Sequence, residues 1–118
     1  MARESRIAEF GRAFSEALGL PRTATRIIDA LARTRDRLGV DEIVRRVRRS
    51  ERSVRENLML LVRRGILDRR ILVTANKKLA YVYSLKPVED LVAAARGDLA
   101  LVLRRIERIA RHLRRSPA

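Results

Sequence analysis

The sequence predicts a mainly α-helical fold with one small β-hairpin and a long C-terminal helix. Two observations lead to this fold class: apolar residues repeat at intervals of three and four in five segments, and they alternate at strand spacing in only one region. The chain has 118 residues, 47% of them hydrophobic, which suffices for one domain with a modest core. Within this single domain (1–118) we expect an N-terminal helix at 1–19, a central unit at 20–86 and a C-terminal helix at 87–115.

The first two helices are predicted from amphipathic spacing. The N-terminal helix is expected to end near Gly19, and its apolar side chains recur at helical intervals: Ile7, Phe10, Phe14, Ala17 and Leu18. A second helix, roughly residues 22 to 35, follows Pro21, because proline can begin a helix but not continue one. Its apolar stripe contains Ile27, Ile28 and Leu31.

Two shorter helices are predicted next. Asp41 is the expected N-cap of a helix about two turns long, with Ile43, Val44 and Val47 on its buried side. Ser50 is expected to cap the following helix, and Gly65 can take a positive φ at its end. The apolar stripe of this fourth helix is Val54, Leu58, Leu61 and Val62.

The region after Gly65 changes to strand spacing and predicts a hairpin of two strands. The run "ILDRRILVT" has the composition of a strand, "ANKK" is typical of a turn, and "LAYVYSL" alternates as the second strand. Tyr81 and Tyr83 alternate along that strand and are expected to be core aromatics. The alternative is that they form platforms on which single-stranded bases stack.

A long helix is predicted to begin at Pro87 and to continue through Gly97. Its apolar residues step by three and four over three heptads: Val92, Ala95, Leu99, Val102, Ile106, Ile109 and Leu113. We expect this seam to form a coiled-coil-like homodimer interface with the first helix beside it, because so small a domain offers little else to bury it. An intramolecular helix pair in a monomer is the alternative.

The charge of the chain predicts a polyanionic partner. Lys and Arg total 28 against 14 acids, which gives a formal net charge of +14. Residues 41–78 contain 12 of these basic residues and five acidic ones, so half of the net charge lies on a third of the chain. Nucleic acid is the first candidate, since an anionic membrane would favour large aromatics and the chain has no Trp and two Phe.

Composition also excludes several kinds of site. There is no cysteine for a disulfide or thiolate metal site, and the one histidine, His112, lies in a charged C-terminal segment. The sequence contains no constellation of catalytic residues, so we expect neither an enzyme nor a metal or cofactor.

The start lacks the apolar core of a signal peptide, and the longest apolar runs have five residues, whereas a membrane span needs about 18. A cytoplasmic, nucleoid-associated protein is expected. The lack of Cys and Gln with 36% charged residues would suit a heat-adapted source, and coding bias is the alternative.

The order of these elements is that of a winged helix-turn-helix, in which a bracing helix, a recognition helix and a hairpin follow one another. In this arrangement the recognition helix buries one stripe and offers its N-terminal turns to the major groove of DNA. The candidate contacts with double-stranded DNA are at the start of the fourth helix and on the hairpin: Arg48, Arg49, Ser50, Arg52, Ser53, Arg55, Glu56, Arg69, Lys77 and Lys78.

Each candidate has a chemical role that fits DNA. Arg48 and Arg49 beside a helix N-terminus form a phosphate clamp. Arg52 and Arg55 can reach a guanine edge or a phosphate, Ser53 can bond to either, and Glu56 can accept from a cytosine amino group; the sequence does not choose between these roles. The alternative is a solvated charged face, with the hairpin charges serving only solubility and protection of an edge strand.

Three stretches carry a resemblance to a known family: "LGLPRTATRIIDAL", "VDEIVRRVRRSERSVRENLMLLVRRGIL" and "YVYSLKPVEDLV". From Leu18 to about Leu103 the chain resembles the DNA-binding part of the TrmB-like archaeal transcription regulators, relatives of the MarR and ArsR groups. The resemblance implies that Ser50 to Arg64 is the recognition helix and that the hairpin around Lys77 and Lys78 is the wing. Many such proteins carry a C-terminal effector domain, whereas this sequence ends at "RRSPA", so no effector is carried over.

Three function classes follow from these features. The first is a homodimeric, sequence-selective DNA-binding transcription regulator. The second is a chromatin-like protein that coats DNA with the same fold but without base readout. The third is a winged-helix interaction module in a nucleoprotein assembly, where the basic surface contacts RNA or an acidic partner.

Overall fold

Five helices and three strands are formed by residues 2–115, the part of the chain that the computed structural model describes. In chain order they are α1 (Ala2–Leu18), α2 (Arg22–Ala32), β1 (Leu38–Gly39), α3 (Val40–Val47), α4 (Glu51–Arg63), β2 (Leu67–Val73), β3 (Leu79–Leu85) and α5 (Val88–Arg115). The predicted fold class, mainly α with a hairpin and a long last helix, is therefore confirmed.

The core lies between α2, α3 and α4, each of which contacts the other two. These helices bury the apolar stripes that their periodicity predicts, except that Val44 and Val62 are only partly buried, and Ala24 is buried in addition. The buried members are Ala24, Ile27, Ile28, Leu31, Ile43, Val47, Val54, Leu58 and Leu61. The second half of α1 closes one side through Phe14 and Leu18, and the rings of Phe10 and Phe14 stack with centroids 5.5 Å apart. Along α5 only Leu91 is fully buried, so the long helix joins the core near its start.

The sheet has three antiparallel strands in the order β1-β3-β2. Leu38 pairs with Tyr83, and the hairpin register runs from Leu67 opposite Leu85 to Val73 opposite Leu79. The predicted hairpin is formed by β2 and β3, and β1 is an additional strand that the sequence did not reveal, because two residues are too short to show any periodicity of their own. Its extended backbone comes from pairing with β3.

Two helix boundaries also differ from the prediction. Helix α2 ends at Ala32, not near residue 35, because the following residues turn the chain toward β1; Thr34 Oγ1 accepts a hydrogen bond from the Asp36 N–H at 3.1 Å. Asp41 is not the N-cap of α3. The extended residue Gly39, with φ −80° and ψ 172°, occupies that position, so Asp41 lies in the first helical turn.

The two tyrosines of β3 have different environments. Tyr83 is buried, as predicted, but Tyr81 is 44% exposed, so its placement in the core was wrong. Both side chains point to the same face of the strand, and Tyr81 lies nearer the hairpin tip, where the sheet extends past the core. The guanidinium of Arg69 lies 4.4 Å from the Tyr81 ring centroid and covers that ring instead.

Arg64 joins the end of α4 to two other helices. Its Nη1 donates to the Leu18 carbonyl oxygen at the end of α1 at 3.1 Å, and its Nη2 donates to the Asp98 carboxylate of α5. The side chains of Arg64 and Asp98 are 29% and 38% exposed, so water screens this ion pair only in part. The contact fixes the C-terminal end of α4 against the middle of the long helix.

We expect Leu58→Ala to lower the free energy of unfolding by about 2 to 5 kcal/mol, because Leu58 is 1% exposed and its truncation leaves a cavity between helices. Urea unfolding followed by circular dichroism measures the change. The neighbouring Met59 is 56% exposed, and Met59→Ala is the control, with an expected change within about 0.5 kcal/mol. Equal effects of the two substitutions would contradict the core described above.

Candidate nucleic-acid interface

The turn between α3 and α4 is three residues long and has a left-handed residue at its start. Arg48 has φ 56° and ψ 47°, and its N–H donates to the Val44 carbonyl oxygen at 2.9 Å. This conformation ends α3 and redirects the chain within Arg48, Arg49 and Ser50. Arg48 and Ser50 are exposed and Arg49 is partly buried.

Ser50 caps α4, as predicted. Its Oγ accepts a hydrogen bond from the Ser53 N–H at 3.1 Å, and its φ of −62° and ψ of 152° are those of an N-cap. A helix start leaves amide groups without partners inside the helix, so the N–H groups of Glu51 and Arg52 stay directed outward. This end of α4 therefore combines a helix dipole with the nearby arginines.

The outward face of α4 begins immediately after the cap. The side chain of Arg52 is 90% exposed, and those of Arg55 and Glu56 are 60% and 65% exposed. Arg52 Nε lies 3.2 Å from Glu56 Oε1, and Arg55 Nε lies 3.6 Å from Glu51 Oε2. Exposed pairs of this kind contribute little stability, so both arginines can exchange a glutamate for a phosphate or a base at small cost.

The start of α2 lies beside the first turn of α4, a neighbour that the sequence did not reveal. Ser53 Oγ lies 3.5 Å from Thr23 Oγ1, and Ser53 is only partly exposed. Arg26 of α2 donates from Nη1 to the Val47 carbonyl oxygen at the end of α3 at 3.2 Å. These contacts lie far apart in sequence, and no local pattern signals them.

The hairpin tip presents the two predicted lysines together. Thr74 Oγ1 accepts from the Lys78 N–H at 3.1 Å, the Thr74 N–H donates to the Lys78 carbonyl oxygen at 2.8 Å, and Lys77 has φ 57°. Arg69 pairs with Tyr83, four residue pairs from the last pair of the hairpin, so it lies about 13 Å from the tip at roughly 3.3 Å per residue. The structure thus separates Arg69 from Lys77 and Lys78.

The predicted seam on α5 is largely open to solvent in the described chain. Ala95 is partly buried and packs against the core, while the other six positions are 42% to 72% exposed: Val92, Leu99, Val102, Ile106, Ile109 and Leu113. The part of α5 beyond Asp98 has no fully buried residue. A row of apolar side chains therefore projects along the free half of the helix.

Two other kinds of site are absent from residues 2–115. No group of three or more His, Asp or Glu residues there is placed to hold a metal ion. None of the helices in this range has the length and apolarity needed to cross a bilayer.

The Arg33 guanidinium donates to the Asp29 carboxylate, and this hydrogen bond raises the pKa of Arg33 above its ordinary value. Arg33 Nη1 also lies 3.9 Å from Glu4 Oε2, so this arginine links α2 to α1.

The arrangement of α2, α3, α4 and the hairpin is a winged helix-turn-helix, in which α4 occupies the position of the recognition helix. Neither a protein-family model nor a curated protein matches the chain. Solved structures do match it.

The chain is similar to a possible transcriptional regulator from Methanosarcina mazei Go1, with 13% identity and a TM-score of 0.71 over 88% of this chain and 85% of that one. It is also similar to a mutant of S. aureus MepR bound to an oligodeoxyribonucleotide, with 17% identity and a TM-score of 0.55 over 97% and 78% of the two chains. For the transcriptional regulator PA3341 the identity is 21% and the TM-score 0.50 over 95% and 98%. At these identities the likeness shows a common fold.

We expect Ser50→Ala to lower the free energy of unfolding by about 1 kcal/mol, because the Ser53 N–H loses its capping acceptor. Thermal and urea unfolding measure the loss. Ser50→Asp keeps an acceptor at the same position and is the matched control, with stability close to that of the unchanged protein. An equal loss in both variants would show that the cap is not the cause.

Proposed function

We propose that this protein is a homodimeric regulator of transcription that binds double-stranded DNA in a sequence-selective way in the cytoplasm, on the nucleoid. In this proposal residues 20–86 read DNA and residues 87–115 form the dimer. The observation that carries it is the orientation of α4, whose first two turns expose Arg52, Arg55 and Glu56 on one side. On the other side Val54, Leu58 and Leu61 hold the helix in the core.

Base readout would come from the first two turns of α4. A helix of ordinary diameter fits the major groove, and Arg52, Arg55 and Glu56 lie on the side of α4 that faces away from the core. The two arginines would contact guanine edges or phosphates, and Glu56 would accept from cytosine. Glu51 and Glu56 also repel the DNA phosphates, and only a favourable contact with a base offsets this repulsion. The two glutamates therefore favour sequence-selective binding over general binding.

Phosphate contacts would flank this reading surface. Arg48, Arg49 and the outward amides at the start of α4 suit one backbone strand. Lys77 and Lys78 at the wing tip suit the backbone or minor groove nearby. Arg69, which lies about 13 Å from the tip and covers Tyr81, is the weaker of the wing candidates.

Dimerisation is proposed because the seam of α5 has no partner within the described chain. The seam continues for about 30 Å from Val92 to Leu113 at about 1.5 Å per residue, and six of its side chains are more than 40% exposed. A second copy would bury this row as a coiled coil and place two recognition helices on one face of DNA. A roughly palindromic binding site follows.

The neighbours support a regulator that binds DNA. The S. aureus protein with this fold is described as bound to an oligodeoxyribonucleotide, and the other two are described as regulators or possible regulators of transcription. The chain itself adds a net charge of +14, suited to a polyanion. The TrmB-like resemblance and an archaeal, heat-adapted source stay predictions.

We expect Arg52→Ala and Arg55→Ala each to weaken binding to a selected duplex by about 1 to 3 kcal/mol, if the side chain contacts a base. The selected duplex comes from a random pool enriched on the unchanged protein, and fluorescence anisotropy measures affinity between 50 and 200 mM salt. Arg35→Ala and Arg37→Ala are matched controls. Both residues are exposed and follow the C-terminal end of α2, whereas the start of α2 is the end that lies beside α4.

The controls separate readout from general charge. An effect of Arg35→Ala or Arg37→Ala as large as that of Arg52→Ala would contradict the reading role of α4. Equal affinity for the selected duplex and for random duplex would instead favour the chromatin-like function, because a specific regulator prefers its site by about a thousandfold or more.

We expect sedimentation equilibrium to give twice the chain mass of 13.6 kDa at micromolar concentration. Ile106→Glu places a charge in the seam and should produce a monomer, because a buried carboxylate without a partner is strongly unfavourable. Leu101→Glu is the control: Leu101 is 61% exposed but lies off the seam, so the dimer should persist. A monomeric unchanged protein would refute the dimer.

A further inference from the structure

The free half of α5 carries a second basic surface, on the side opposite the apolar seam. Its members are Arg104, Arg108, Arg111 and Arg115, which we call the arginine face. They step by four, three and four residues, so at 100° per residue they lie on one side of the helix, about 160° away from Val102, Ile106, Ile109 and Leu113. All four are exposed, and together they cover about 17 Å of helix length at roughly 1.5 Å per residue.

The arginine face lacks the acidic partners that the arginines at the start of α4 have. Residues 99–115 contain six arginines and one acid, Glu107, and within residues 2–115 no arginine of the face forms an ion pair. By contrast, Arg52 and Arg55 on α4 each lie beside a glutamate. Like charges four residues apart on a helix repel one another. The dipole at the helix end acts within the last turn only and does not reach Arg104 and Arg108, so Glu107 is the one acid near four arginines.

This face is distant from the proposed reading surface. The C-terminal end of α4 is attached to α5 through Arg64 and Asp98, and the reading turns lie at the other end of this 13-residue helix, about 20 Å away. The arginine face begins six residues, about 1.7 turns, beyond Asp98, on the part of α5 that extends from the core. A duplex bound at the start of α4 therefore leaves the arginine face uncovered.

We propose that the arginine face binds the phosphate backbone of a second DNA duplex, so that the protein bridges two DNA segments. The inference rests on the proposed function, in which the first duplex is bound at α4. Over 17 Å of axis a duplex carries about ten phosphate charges, and guanidinium groups match phosphate oxygens in pairs. The contact uses no base edges, so it is independent of the second sequence.

The seam and the arginine face are compatible in a dimer. Because they lie on opposite sides of α5, a coiled coil that buries Val102 and Ile106 keeps the arginines outward on both copies. The dimer would thus carry its reading helices near one end of α5 and two arginine faces farther along it. This geometry is suited to holding separate duplexes rather than adding contacts to one.

A bead assay with the full chain tests the proposal. Beads carry the selected duplex, the protein is bound, and capture of a labelled random-sequence duplex is measured by fluorescence. The test variant changes Arg104, Arg108, Arg111 and Arg115 to Gln together. We expect it to lower capture at least tenfold, whereas the same four positions changed to Lys should keep most of it because the charges remain.

A charge-matched control removes four arginines elsewhere: Arg3, Arg12, Arg35 and Arg37, all exposed, are changed to Gln. We expect this control to retain capture. Capture by the unchanged protein should fall about a hundredfold between 50 and 200 mM salt if four phosphates are neutralised. Circular dichroism and sedimentation confirm that each variant keeps its helices and its oligomeric state.

Several outcomes would overturn the inference. These are no capture by the unchanged protein, full capture by the Gln variant of the face, or an equal loss in the charge-matched control. Stronger capture of a labelled RNA hairpin or of polyglutamate than of DNA would assign the face to another partner. A mobility shift on the selected duplex alone separates the two proposals: if that shift is present and bridging is absent, only the second duplex is refuted.

Discussion

Burial of one stripe on α4 is the constraint on which the rest of the molecule depends. Val54, Leu58 and Leu61 lie between α2, α3 and β2, and their burial leaves a single orientation for the remaining sides of the helix. The same packing that stabilises the domain therefore decides which residues reach a ligand. Arg52 and Arg55 are exposed because the burial of the apolar side of α4 turns the side that carries these arginines toward solvent.

The two ends of α4 are held by different interactions, a serine cap at the start and an arginine that contacts α1 and α5 at the end. At the start, Ser50 satisfies one amide and leaves others directed outward, which is compatible with an anionic ligand. At the end, Arg64 contacts a carbonyl group of α1 and the carboxylate of Asp98. A shift of α5 relative to the core would therefore act on α4 through its C-terminal end. The spacing of two reading helices in a dimer would depend on this contact.

The sequence predicted the helices of the core well because each carries its own apolar period, and α4 also carries its own capping residue, Ser50. It failed where structure depends on distant partners. The strand Leu38–Gly39 exists only through pairing with β3, and that pairing moved the start of α3 away from Asp41. Tyr81 and Tyr83 alternate in the same way, but Tyr81 lies beyond the edge of the core. The alternation shows which face of the strand a residue occupies and not how far the core extends along it. For the site, the cap and the exposed face of α4 were predictable, whereas the contact with Thr23 was not.

The left-handed turn at Arg48 has a consequence for how this protein can change. A residue with a side chain in this conformation costs roughly 1 to 2 kcal/mol, whereas glycine adopts it without that penalty. Replacement by glycine would thus make the turn easier to form and would also remove a guanidinium beside the start of α4. At this position selection for a more heat-resistant fold and selection for affinity would act in opposite directions.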